Sequence, residues 1–442
     1  MGNNLKTITQ EKKVTFKGLK SFVLILALVF NSVAFGIGTV SAESENISDG
    51  IAANDIVKVP FLPQKFITAT QDFSFDLFRE SIDFEKNSLV SPTSVVLAMG
   101  MTSNGSDNNT KLQFQQLLAK NQFSVKQLNY YYNVMSSILQ NNNNTTDSVY
   151  GNQLKLANSI WFKDSYDIYY NFLQTNADYY KADIFKSDFG SDTVTDINNW
   201  VNNKTGGLID KIIDQIDENT MMFLINALLF EAEWQKQFAK EDASFASFKN
   251  LNGSYLNGIF FNSSKEAFLK SENATGFIKP YKGGKYSFVA MLPNEKTSIK
   301  DYVQTLNASS FQSFLNSSLD GKTADIGIPK FEYSFDVKLI DPFKRLGFVD
   351  AFFPSVADFS KMAPPPESIY IRDILHKTYI QLSEVGTKAG AVTKVEMADK
   401  AMPPVENKVL LNRPFVYAIV DNGTKLPIFI GTVINPFEKV AK

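Results

Sequence analysis

The chain has no cysteine and a single histidine among its 442 residues, and those two shortages remove whole classes of chemistry. Without cysteine there is no disulfide scaffold, no thiolate nucleophile and no zinc site of the Cys/His kind. A Ser-His-Asp hydrolase would have to use His376. The sequence also contains no G-x-S-x-G, no P-loop and no G-x-G-x-x-G, so the usual motifs for acyl transfer, nucleotides and dinucleotides are missing, and no cofactor is indicated. Charge of one sign is lacking too: 44 Lys and Arg stand against 46 Asp and Glu, a formal net charge of −2 without a Lys/Arg block. Nucleic acid is thereby excluded as the main partner, because phosphate binding needs a basic footprint. A hydrolase working through carboxylates alone stays open, but the acidic residues show no spacing that locates one.

What is present begins with an address. Lys12, Lys13, Lys17 and Lys20 precede the apolar run SFVLILALVF, in which Phe22 is the first aromatic, and Val40-Ser41-Ala42 is a small-x-small site for signal peptidase. Residues 1–42 are therefore expected to be a signal peptide cut after Ala42, leaving a secreted, extracellular chain with no membrane attachment. An uncleaved anchor is the alternative, weakened by Asn31 and the glycines beyond it. A long basic start of this sort suits a Gram-positive secreted protein. Residues 43–60 are polar and lack an apolar period, and are expected to be a flexible lead-in.

The whole chain is 44% hydrophobic and 20% charged, a globular composition. Phe73, Leu77 and Phe78 recur at helical spacing from about Thr70. In NSLVSPTSVVLAMGM, Ser91 as N-cap and Pro92 at the first helical position start a helix that is apolar all round and hence deeply buried. LKLANSIWFKD reads as a strand, and so does MMFLINALLF, a fully apolar run broken by Asn226, whose amide must find partners or cost about 1–3 kcal/mol. Ser287 to Leu292 reads as another. Near the C-terminus two apolar runs flank Asp421-Asn422-Gly423, a hairpin signal in which Asn-Gly is expected to supply positive φ.

The stretch from Glu384 to Pro404, EVGTKAGAVTKVEMADKAMPP, reads two ways. Gly386, Gly390 and small alanines suggest an exposed loop. Counted as a strand, Thr387, Ala389, Ala391, Thr393, Val395 and Met397 share one uncharged face, with Lys388, Gly390, Val392, Lys394 and Glu396 opposite. Exposed loops gain nothing from keeping charge off every second position.

EVGTKAGAVT resembles the loop hinge of the serpin family, whose loop insertion is a known instance of strand addition. In that family the scissile residue lies sixteen positions past the hinge glutamate, which from Glu384 is Lys400, and a proline pair commonly follows the cut bond, as Pro403-Pro404 does here. Asn87, Ser91, Pro92 and Ser94 are similar to the start of a central serpin helix. Ile197 to Phe238 resembles a family block of helix, turn, short amphipathic helix and buried strand. The resemblance covers roughly Phe61 to Pro436 with no linker inside it. It implies an α+β, single-domain serpin fold over residues 61–437, with three β-sheets, about nine helices, a large central sheet A and an exposed reactive-centre loop at about 384–404.

It further implies a reactive bond at Lys400-Ala401 and a hinge of Glu384, Gly386, Thr387, Lys388, Ala389, Gly390 and Ala391. Ser91, Ser94, Asn226 and His376 carry over to the family's shutter, and Trp234 to the place where the loop enters the sheet. For His376, Ser91, Ser94 and Trp234 a plain core or capping role is the competing reading. The implied function is suicide inhibition of a trypsin-like serine protease by a monomer that is not an enzyme. A non-inhibitory binding or carrier serpin, cut as a substrate, is the alternative. Val385, Gly390 and Lys388 depart from the family's usual hinge.

Overall fold

The computed structural model describes residues 22–31, 44–56, 61–141, 153–364, 368–387 and 407–438. Nine α-helices form among them: α1 Gln64–Ser81, α2 Pro92–Ser103, α3 Asn108–Ala119, α4 Val125–Gln140, α5 Tyr170–Tyr180, α6 Ser191–Lys204, α7 Ile299–Thr305, α8 Ala308–Asn316 and α9 Ile340–Arg345. Local chemistry explains where several begin. The Ser91 hydroxyl accepts from the Ser94 amide at 3.3 Å, and Pro92 needs no amide partner at the first position of α2. Every residue of α2 is buried, as its lack of a polar face requires.

The principal sheet has eight strands, here numbered in chain order: β1 Phe22–Asn31, β2 Glu45–Asn46, β3 Gln153–Lys163, β4 Ala182–Ser187, β5 Thr220–Glu233, β6 Phe331–Lys338, β7 Tyr370–Leu382 and β8 Gly386–Thr387. Across the sheet they run β6, β7, then a gap shared by β1 and β8, then β5, β3, β4 and β2. β3 is parallel to β4; the other pairings are antiparallel. All fourteen residues of β5 are buried, so the strand can be apolar throughout rather than alternating.

Two segments read from the sequence as a leader and a lead-in hold places in this sheet. Residues 22–31, read as the apolar stretch of a removable leader, form β1 in the middle of the sheet. An apolar run without period suits a leader or a strand covered on both faces equally well. Its expected cleavage site, Ala42, lies outside the described residues. The lead-in is not free either. Glu45–Asn46 pair with Phe185 and Lys186 of β4, the Ile47 amide donates to Ile184 O at 2.9 Å, and Ile51 is buried. Backbone pairing to a sheet edge needs no apolar period, so composition gave no sign of it.

The second and third sheets expected are joined by one long strand, Tyr255–Lys270. Its first half pairs with Ala243–Lys249, its middle, Phe260 to Ala267, with Thr323–Pro329, and its last residues with Ala274–Pro280. A bulge, with Lys265 at φ 64°, turns it between the two. Phe415–Asp421 and Pro427–Val433 form the expected C-terminal hairpin. Its left-handed residue is Lys425, at φ 60°, and Gly423 is not left-handed. The Asp421 carboxylate shapes the turn by accepting from Thr424 N and Oγ1, both at 2.8 Å. The short helix expected after α6 is also absent. The Asn198 side chain instead takes the Ile212 and Ile213 amides at 2.8 and 3.2 Å, holding that stretch in irregular backbone.

The main core lies between the principal sheet, α2 and the second sheet. A smaller one, of Trp161, Ile197, Trp200 and Phe223, seats α6 on the sheet's other face.

Candidate functional site

Beneath the middle of the gap sits a buried polar patch built on the start of α2. The Ser91 amide donates to His376 Nε2 at 3.2 Å, and the Ser94 hydroxyl donates to Asn226 Oδ1. Asn226 Nδ2 donates to Asn158 Oδ1 at 2.7 Å, and Asn158 Nδ2 to Tyr180 O at 2.6 Å. The amide that interrupts an apolar strand thus has a partner on each of its polar atoms, which offsets the cost of burying it. Thr378 adds bonds of 3.0 Å to Leu89 O and Phe335 O. Ser91, Ser94 and Asn226 have no exposure and His376 has 1%.

His376 is the exception to this satisfaction. With Nε2 accepting, the ring's proton resides on Nδ1, and Nδ1 has no partner among the described residues. Asn226 and His376 stand at the same level of the sheet but do not touch, since Leu26 of β1 is the register partner of both. Burial holds the imidazole down, to a pKa of about 3.

The sign of the resulting pH dependence follows. Between pH 3 and 6.5 the unfolded chain binds a proton at His376 that the folded chain refuses, so stability rises with pH through that window and is complete above it. The expected result is a loss of about 2 kcal/mol of this contribution between pH 7.5 and pH 5. Urea unfolding at the two pH values checks it in wild type and in His376→Gln. The chain has no other histidine, so an equal pH difference in both proteins would contradict it.

The hinge occupies the top of the same gap. Ser383 and Gly386 close a tight turn: the Ser383 amide and hydroxyl donate to Gly386 O at 2.9 and 3.0 Å. Gly386 then runs so close to β5 that a Cβ would lie 2.2 Å from Ala232 O, so only glycine fits. Gly386 pairs with Glu233, and Thr387 with Ala232 on one side and Leu382 on the other. Thr387 is fully buried and shares a 2.8 Å hydrogen bond with the Tyr281 hydroxyl, whose pKa burial pushes far up. The loop expected to be exposed from its hinge onward therefore begins inside the sheet, because a small uncharged side chain at Thr387 can be buried there. Lys388, Ala389, Gly390, Ala391, Lys400 and Ala401 lie outside the described residues.

Trp234 organises this corner. Its indole Nε1 donates to Ser383 O at 3.0 Å, its amide donates to Val385 O at 2.9 Å, and its ring stacks on Tyr281 with centroids 4.5 Å apart. Behind it Lys279 is buried in a 2.8 Å ion pair with Glu266, its ammonium 5.5 Å from the Trp234 ring and 4.3 Å from that of Phe238. Glu384 faces Lys330 at 3.3 Å across a partly exposed ion pair. Sequence reasoning placed Trp234 and Glu384 but missed Tyr281, Ser383, Lys330, Lys279 and Glu266.

A place between β5 and β7 that takes the start of the loop at its top and the added strand β1 below, over a polar patch, is an arrangement for admitting a strand. The family pattern for Serpin (serine protease inhibitor) matches residues 68–436. The chain belongs to the serpin family. Serpin B4 of Homo sapiens is 26% identical over 391 residues, 83% of this chain and 98% of that one. Serpin-Z7 of Hordeum vulgare is 29% identical over 299 residues, 65% and 74% of the two chains. Among solved structures, the thermophilic serpin tengpin in its native state shows 41% identity and a TM-score of 0.80, over 89% of this chain and all of that one. Tengpin in its latent state shows 43% identity and a TM-score of 0.75, over 86% of this chain and all of that one. The α+β architecture expected from the sequence, with nine described helices and a large central sheet, is the serpin fold. Serpins generally inhibit serine proteases and form complexes with them, and are not themselves enzymes.

Proposed function

We propose that this serpin is a secreted suicide inhibitor of a trypsin-like serine protease. The observation that carries the reading is the buried Thr387, already paired on both sides at the top of the gap. From Thr387 onward, alternate positions of the sequence, Ala389, Ala391, Thr393, Val395 and Met397, share its face and bring no charge toward the core. A severed loop can follow Thr387 into the sheet without a desolvation penalty.

The protease serine attacks the Lys400 carbonyl, the bond to Ala401 breaks, and Ala401 leaves as a new amino terminus. The acylated loop inserts as a strand and carries the protease roughly 50 Å, at about 3.3 Å per residue over some 14 residues. Distorted at the far end, the protease does not complete deacylation. Lys400 suits a primary pocket with a carboxylate at its base, hence the trypsin-like class. The basic, apolar and small-x-small segments of residues 1–42 support export.

Mixing the chain that starts at Glu43 with trypsin tests the reading. A covalent band of summed mass that survives boiling in SDS is expected. Clean nicking after Lys400 with full trypsin activity would instead mark a carrier cut as a substrate.

A further inference from the structure

β1 and the reactive loop claim the same place. β8 sets the loop's register, with Gly386 opposite Glu233 and Thr387 opposite Ala232 of β5. Continued down the strand at that register, position 389 meets Phe230, 393 meets Asn226 and 397 meets Met222. Those three partners are held by Phe22, Leu26 and Phe30 of β1. β1 runs in the loop's direction, antiparallel to both neighbours, and pairs with β7 from Val23↔Tyr379 to Asn31↔Tyr370. Every β5 position the loop would need from 389 to 397 is therefore already paired, and from 390 to 396 the β7 positions are paired as well. Two strands cannot share one position in a ladder, so occupation by one excludes the other.

We infer that residues 22–31 are an internal blocking strand: while they remain attached the gap is closed to the loop, and loss of residues 1–42 arms the molecule. The same apolar run that serves as an export signal would thus keep the unprocessed chain from trapping proteases before it leaves the cell. An acyl-enzyme formed on the blocked chain cannot be carried down the sheet. The hinge stops near Thr387, water completes hydrolysis of the Lys400 ester, and the protease leaves intact with the loop cut. The segment is well made for the role. Ten residues of FVLILALVFN span about 33 Å of sheet, and all but Asn31 are aliphatic or aromatic residues, the kinds strands favour. Leu26 stands at the level of the polar patch, between Asn226 and His376, and keeps those two apart.

The inhibitory consequence rests on the function proposed above; the occupation of the gap does not. The test therefore uses two readouts on three proteins: the full chain made without export, the chain starting at Glu43, and the full chain carrying Leu26→Pro. Proline at the centre of β1 removes a ladder amide and breaks the pairing whatever its side chain does. Each is mixed with trypsin, and SDS-stable complex is counted per loop cut. The full chain is expected to give at least tenfold less complex than the shortened chain, with Leu26→Pro restoring most of it. Equal yields from the full and shortened chains would overturn the inference. If no protein traps trypsin, the inhibitory reading fails, and melting before and after loop cleavage decides the occupation separately. A rise in melting temperature on cleavage in the shortened chain but not in the full chain supports the blocking strand, and the same response in both overturns it.

Discussion

Replacing Thr387 with arginine is expected to abolish the covalent complex with trypsin while cleavage after Lys400 continues at the wild-type rate. Thr387 has no exposure and sits against the Tyr281 hydroxyl, between Ala232 and Leu382. A guanidinium at that position must either be buried without a countercharge or pull the hinge out of the sheet. Either route costs several kcal/mol, and it falls on the step in which the loop follows the hinge inward. Insertion competes with deacylation, so a penalty of about 3 kcal/mol slows the trapping branch roughly 100-fold and leaves hydrolysis to win. The primary contact at Lys400 is thirteen positions away, so the initial attack is unaffected. Gel densitometry of complex against nicked chain reads the ratio, with Thr387→Ser as the conservative control that keeps trapping. Arginine trapping as well as threonine would show that insertion does not pass through this point.

The second large effect is on stability. When the loop of the chain starting at Glu43 is cut, the melting temperature is expected to rise by about 10 °C or more. Some 14 residues gain strand pairing on two sides at roughly 1 kcal/mol per hydrogen bond, a total on the order of 10 kcal/mol. Spread over an unfolding entropy of about 2 cal/mol/K per residue for roughly 400 residues, that shifts the midpoint by about 12 °C. Calorimetry before and after nicking with a protease that is then removed measures it. An unchanged midpoint would mean that the cut end stays in solvent, and the trap would have no driving force.

The parts of this architecture that local chemistry dictates were legible in the sequence. Ser91 and Pro92 announce the start of α2 through cap and proline geometry, and an amide inside MMFLINALLF announces that Asn226 must be satisfied. Its partners were not legible, because Ser94 and Asn158 reach it across more than sixty residues of chain and only the strand register brings them together. The same holds for Tyr281 against Thr387 and for Lys330 against Glu384: neither partner carries a mark of the other. The seats of residues 22–31 and 44–56 were hidden for a different reason. The first, and Glu45 to Ile47 of the second, are seated by backbone pairing, and an apolar run or a polar one gives no periodic sign of which sheet position it will take. The C-terminal hairpin was read correctly in place but not in mechanism, since Asp421 and Lys425 rather than Asn-Gly shape its turn.

The sole imidazole of the chain lies beside the contested gap, with one ring nitrogen unbonded among the described residues, and this makes it a built-in gauge. Its proton and nitrogen resonances stand alone in the histidine region of the spectrum and need no assignment. A leader strand, a reactive loop or a closed pair of neighbours beside it would each give that ring a different set of contacts. One spectral line can therefore track which occupant the sheet holds, from synthesis to capture of a protease.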